Sequence, residues 1–151
     1  MISTVASFFL ILVLGAPKNP VVRFVNPPGL AKSPRYSHVA EVNRGRLILI
    51  SGQVSQNAKG DPVGAGDMAA QTRQVFENLK VALSAAGASY KDVVQLTSYI
   101  VDISKNIEAY REVRQEYLSG LTQPPTSTTV GVPALVRADY LLEVEAIAVL
   151  P

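Results

Sequence analysis

The chain has 151 residues, 48% hydrophobic and 17% charged, with no cysteine and no tryptophan. That length suits one domain, and the apolar content is too high for a disordered chain. Without cysteine there is no disulfide, thiol nucleophile, iron–sulfur cluster or Cys-rich zinc site. A single histidine, His38, excludes a His-rich metal centre. The net charge is +2, from 14 basic and 12 acidic residues. No Lys/Arg run exists to follow a phosphate backbone, so no nucleic-acid partner is expected.

Residues 1–20 form an apolar extension around Phe8-Phe9-Leu10-Ile11-Leu12-Val13-Leu14. This run is too short to span a bilayer core of roughly 30 Å, so no stable membrane span is expected. It is similar to the apolar part of an export signal, but no Lys or Arg precedes it. The other readings are a start-site artefact, with the domain beginning at Val21 or Val22, and a segment packed on the domain. A late start places the protein in the cytoplasm, which is the preferred reading; a true signal exports it.

Residues 21–151 read as one domain. Val22–Val25 is a short strand, stopped by Asn26-Pro27-Pro28-Gly29. Tyr36–Val42 and Leu47–Ser51 are expected to form a hairpin turned at Asn43–Arg46. A polar loop over residues 56–66 leads to Asp67, a helix cap. Met68, Thr72, Val75, Phe76, Leu79, Leu83 and Ala86 then recur on one helical face, which Gly87 ends. Val93–Val101 is a β-branched strand. Asn106–Ser119 is a second helix with Ile107, Tyr110, Val113 and Tyr117 on one stripe; Pro124-Pro125 blocks its continuation. Thr126–Val132 and Tyr140–Val149 are strands.

The order is β-β-β-α-β-α-β-β, an α+β domain. Two helices cover one face of a mixed sheet. The last strand is apolar on both faces, so the uncovered face is expected to bury itself against copies of the chain.

Few residues carry chemistry. Glu143 and Glu145 share a strand face with apolar neighbours, and a buried carboxylate there suits acid/base work on water. The same pattern also fits an ion-paired or solvated carboxylate. Ser127, Thr128 and Thr129 form a hydroxyl cluster that could hold an anion or carbonyl, though Thr is also an ordinary strand residue. Ser51 and Gly52 end a hydrophobic strand, where Gly52 permits close backbone approach. Tyr36 could line a cleft, and lone His38 reads as structural. No phosphate loop, dinucleotide fingerprint or nucleophile elbow is present.

Six segments together carry a family resemblance. They are Pro34-Arg35-Tyr36-Ser37, Ile50-Ser51-Gly52-Gln53-Val54, Gln71 to Leu79, Ala85 to Ala88, Asp92-Val93-Val94 and Leu142 to Val149. In order and spacing the chain resembles the RidA/YjgF family over about residues 22–150. The resemblance implies a chorismate-mutase-like α+β fold, a homotrimer and small-molecule sites in clefts between subunits. It implies hydrolysis of reactive imines and enamines to ketones and ammonia, with no metal or cofactor. Glu145 matches the glutamate that positions water, Tyr36 a cleft aromatic, and Ser51 and Gly52 the floor. The active branch carries a carboxylate-clamping arginine where this chain has Ser127, beside Thr128 and Thr129. The chain thus resembles the arginine-lacking branches. A small imine, enamine or related C=N or C=O compound is expected as substrate, rather than an ordinary 2-imino acid. Arg137 is a candidate substitute for the lost arginine. The alternative is a non-catalytic trimer that binds a small metabolite or regulates through the same clefts.

Overall fold

The computed structural model describes residues 19–151. Most of the expected apolar extension lies outside the described residues. Eight elements follow in the expected order: β1 (Val22–Val25), β2 (Val39–Val42), β3 (Arg46–Val54), α1 (Met68–Ala85), β4 (Val93–Val101), α2 (Ile103–Leu118), β5 (Thr126–Val132) and β6 (Leu142–Leu150).

Four strands form a mixed sheet in the order β3-β6-β4-β5. β6 runs antiparallel to β3 and β4, while β4 and β5 are parallel and joined through α2. Period-2 alternation sends Leu142, Val144, Ala146 and Ala148 of β6 to one face, with Ile48, Ile50, Leu96 and Ile100. There they meet Phe76, Leu79 and Leu83 of α1 and Tyr110 of α2, all buried. Each fully buried side chain of this size contributes roughly 1.5–3 kcal/mol.

α1 begins where the sequence places it. Asp67 accepts a hydrogen bond from Ala70 N at 3.0 Å. α2 starts three residues before the expected Asn106. Asp102, at φ 48°, turns the chain out of β4, and its carbonyl accepts from Lys105 N and Asn106 N. An Asp tolerates this left-handed conformation better than a β-branched residue would.

The expected hairpin between Tyr36–Val42 and Leu47–Ser51 does not form. β2 pairs instead with β1, from Val22↔Val42 to Val25↔Val39, as a separate two-stranded ribbon. β3 pairs with β6 from Arg46↔Leu150 onward. The turn between them steers this choice. Gly45 has φ 118°, and a Cβ there would stand 2.3 Å from Leu150 O. The backbone is thus drawn onto the end of β6, where Ile48 and Ile50 can be buried.

Among the described residues, the second sheet face carries no helix. At its β3 edge Leu49 is 71% exposed and Leu47 58% exposed. No helix among the described residues is long and apolar enough to cross a membrane.

Candidate functional site

The expected site residues fall on two faces of the sheet. Along β5, Ser127 is registered with Leu96 and Thr129 with Ser98, both on the helix side. Thr128 is registered with Thr97, which is itself opposite Glu145. The hydroxyl run that looks continuous in sequence is therefore split by the pleat. Within one chain, Glu145 meets Thr128's face and not that of Ser127.

On the helix side, Ser127 and Thr129 line a cavity of about 230 Å³ with Tyr36, Tyr110, Arg114 and the rim residue Arg35. Tyr36 is placed by its neighbour. Ser37 N donates to Pro125 O at 3.2 Å and Ser37 Oγ to Pro124 O at 2.7 Å, pinning this segment to the start of β5. The Pro124-Pro125 carbonyls are free for this because no helix continues there. His38 is structural. Its Nε2 contacts Ala31 O at 2.8 Å, and its ring meets that of Tyr36 edge-on at 5.3 Å.

Below this cavity the Tyr110 hydroxyl shares a 2.6 Å hydrogen bond with Ser98 Oγ. Burial holds this phenol above its usual ionisation range. Arg114, one turn further along α2, is only 6% exposed. Burial lowers its proton affinity, but a guanidinium remains charged at any physiological pH.

On the open face, Glu143 is opposite Tyr99 and Glu145 opposite Thr97. Tyr99 Oη donates to Glu145 Oε2 at 3.4 Å, a long contact. The negative charge of Glu145 raises the Tyr99 phenol above its usual range. A register shift in β3 between Ile50 and Gln53 frees Ser51 and Gly52 from regular pairing. Gly52 then lies against Glu143: a Cβ would fall 1.8 Å from Glu143 Oε1. Glycine is required for this closeness. Of the two carboxylates, Glu145 is exposed and Glu143 half-buried. Neither takes part in an ion pair among the described residues.

Arg137 does not stand in the Ser127 cavity. It pairs with Asp139 at 3.1 Å and lies 5.6 Å over the Tyr140 ring. No group of three or more His, Asp or Glu side chains among the described residues is arranged to hold a metal.

A profile of the family described as Endoribonuclease L-PSP matches residues 29–150. The chain belongs to the RidA/YjgF family. It is similar to a Rid-family protein of unknown function from Yersinia pestis, YyfB, at 39% identity and TM-score 0.79. That match covers 87% of this chain and all of the other, 100%. Protein DfrA of Myxococcus xanthus is 35% identical over 76% of this chain and 84% of its own. A 2-iminobutanoate/2-iminopropanoate deaminase of Escherichia coli is 34% identical over 74% of this chain and 86% of its own. The structure of the YjgF gene product of Escherichia coli, 32% identical over 72% of this chain and 84% of its own, shares the α+β fold at TM-score 0.62.

Two site features escaped the sequence reading. The sequence places Glu143 beside Glu145, but its contact with Gly52 depends on the β3 register shift. Arg114 sits four residues after Tyr110, on the buried stripe of α2. A charged residue on an apolar stripe was the available signal.

Proposed function

We propose that the protein hydrolyses a small imine, enamine or related C=N compound, releasing ammonia, in clefts built by neighbouring copies of a homotrimer. The observation that carries this reading is Glu143 seated against Gly52 on a sheet face that no helix covers and with no paired cation among the described residues. In one chain that carboxylate and the Tyr36–Ser127 cavity lie on opposite sides of the sheet. Contact between copies unites them: the open face of one chain would meet the helix-side cavity of the next. Exposed Leu47 and Leu49 supply apolar area for such contact.

The chemistry needs a base and polar support. Glu143 accepts a proton from water as the water oxygen attacks the C=N carbon, giving a carbinolamine. That proton passes to nitrogen; Glu143 then moves the carbinolamine O–H proton to the amino nitrogen as the C–N bond breaks, so a ketone and ammonia leave and the carboxylate is restored. One water is consumed and no redox step occurs. The family resemblance singles out Glu145 for this base. Glu143 is preferred because it adjoins the Gly52 floor, while Glu145 accepts a long contact from Tyr99. The Ser127 and Thr129 hydroxyls would bind the substrate's polar end. The position of Ser127 supplies no cation, but Arg35, Arg111 and Arg114 also line the cavity, so a carboxylate on the substrate is compatible with the site.

The deaminase relative supports the reaction class. An RNA substrate is disfavoured, because a net charge of +2 comes with no basic stripe. Ammonia release from a panel of freshly generated imines is the test, with wild type beside Glu143→Gln and Glu145→Gln. Wild-type turnover that collapses in Glu143→Gln supports the assignment. Turnover unaffected by either substitution removes these carboxylates from the mechanism. Tight metabolite binding without turnover supports the alternative of a binding or regulatory trimer.

A further inference from the structure

A second recess lies where the C-terminal ends of α1 and α2 come beside a one-turn helix, Tyr90–Asp92. It shares no residue with the Tyr36–Ser127 cavity, and neither Glu143 nor Gly52 borders it. Its volume is about 410 Å³, against about 230 Å³ for the cavity beside Ser127. Leu83 of α1, Leu121 just past α2 and the rings of Tyr90 and Tyr117 make its walls largely apolar. A recess of this size with aromatic walls suits a small organic molecule.

The two rings are set in place by the fold itself. Both pack on Phe76, with centroids 5.9 and 5.1 Å from its ring. Tyr90 Oη donates to Phe76 O at 2.5 Å, and Tyr117 Oη donates to Glu77 Oε1 at 3.0 Å. With their hydroxyls engaged, these residues offer the recess mainly carbon surface.

The charge at the recess is of one sign. Lys80 and Lys91 line it, and no carboxylate side chain does. Lys80 lies 3.6 Å from Glu77 Oε2, a carboxylate it shares with Tyr117. Lys91 takes part in no ion pair among the described residues. Its neighbour Asp92 is occupied, accepting from Ser89 N at 2.8 Å and Ser89 Oγ at 3.0 Å. Free carbonyls at a helix end would favour a cation. Here they are taken: Leu83 O accepts from Ala86 N and Ala88 N, and Ala86 O from Arg46 Nη2.

We propose that this recess binds a flat aromatic compound carrying one anionic group. The ring packs against Tyr90, Tyr117 and the two leucines, and the anion faces Lys91 and Lys80. The site stands apart from imine chemistry and is tested without it.

The test is calorimetric titration of the full-length protein with 2-naphthoate, with its neutral amide and octanoate as comparison probes. Naphthoate is expected to bind with a Kd below about 1 mM. At low salt it should bind about three- to fivefold tighter than the amide, and the gap should close at about 0.5 M salt, because both ammonium groups are exposed. Lys91→Gln should remove most of that gap and leave the amide unchanged. Ser84→Trp, at an exposed position of α1 on the rim, sets an indole over the recess. It should weaken acid and amide alike by about tenfold or more, with little change in melting temperature.

Equal binding of acid and amide at low salt, or a gap untouched in Lys91→Gln, overturns the anion assignment; this arm decides alone if Ser84→Trp fails to fold. Octanoate bound as tightly as naphthoate overturns the aromatic one. No naphthoate binding to wild type removes the site, as does binding kept in Ser84→Trp but lost in Tyr36→Ala, which puts the ligand in the other cavity. A native mass altered by Ser84→Trp makes the recess a contact between copies and overturns the ligand reading.

Discussion

At the residue scale, Gly52 decides where the Glu143 carboxylate lies. Its lack of a side chain lets Glu143 lie against the β3 backbone, and Gly52→Ala would put a methyl 1.8 Å from that carboxylate oxygen. The obstructing atom ends a flexible side chain, so the fold can yield by moving it. Stability should change by under about 1 kcal/mol, while turnover falls by about tenfold or more from the displaced base. Melting curves beside initial rates check this; an Ala variant with wild-type rates would separate Glu143 from the chemistry. A second residue-scale prediction concerns alkaline pH. Tyr90 donates to Phe76 O at 2.5 Å, and burial pushes its phenol far above the usual value of 10.0. A folded pKa raised above the unfolded one gives stability that is complete below about pH 10 and is lost as pH rises further. Denaturant midpoints should therefore fall above pH 10, less steeply in Tyr90→Phe. Equal slopes in the two proteins would contradict the assignment.

At the element scale, α1 does more than cover the sheet. Its buried Gln71 donates to Gly64 O at 3.2 Å and to Asp139 O at 2.6 Å, and accepts from Leu141 N at 2.8 Å. Asn78, two turns on, donates to Val54 O and Gln56 O at 3.0 Å. These two amides tie the helix to the entry of β6 and the exit of β3, the strands that carry Glu143 and Gly52. Gln71→Leu would strand Leu141 N–H and Asp139 O, and should destabilise the domain by about 3 kcal/mol. A loss below about 1 kcal/mol by denaturant titration would show that other groups hold this junction. The helices and strands themselves were legible, because the period-3.6 stripe from Met68 to Leu83 and the alternation from Leu142 to Ala148 are local signals. The partner of β2 was not. Pairing joins residues far apart in sequence, and the turn at Gly45 read equally well as a hairpin. The splitting of Ser127, Thr128 and Thr129 between two faces follows from strand alternation once β5 is recognised. The gap beside Arg114 does not, since it depends on how α2, β5 and the Tyr36 segment meet.

At the scale of the whole molecule, the divided site and the uncovered sheet face have one explanation. A lone chain exposes Leu47 and Leu49 and separates Glu143 from Tyr36 and Ser127; the proposed assembly of three would bury the first and join the second. Leu49→Lys places a charge on the proposed contact. It should lower the native mass by light scattering from three chains toward one, or strongly weaken the assembly. A wild-type protein that is monomeric at micromolar concentration would contradict the trimer. Loss of assembly should also abolish turnover, because neither half-site is complete alone.

The most direct measurement of the central claim is steady-state ammonia release from a freshly generated small imine, with wild type beside Glu143→Gln. Multiple turnovers above the spontaneous rate are expected from wild type, falling by about 100-fold when the base is neutralised. Ammonia release no faster than the uncatalysed hydrolysis, across neutral and carboxylate-bearing imines alike, would contradict it.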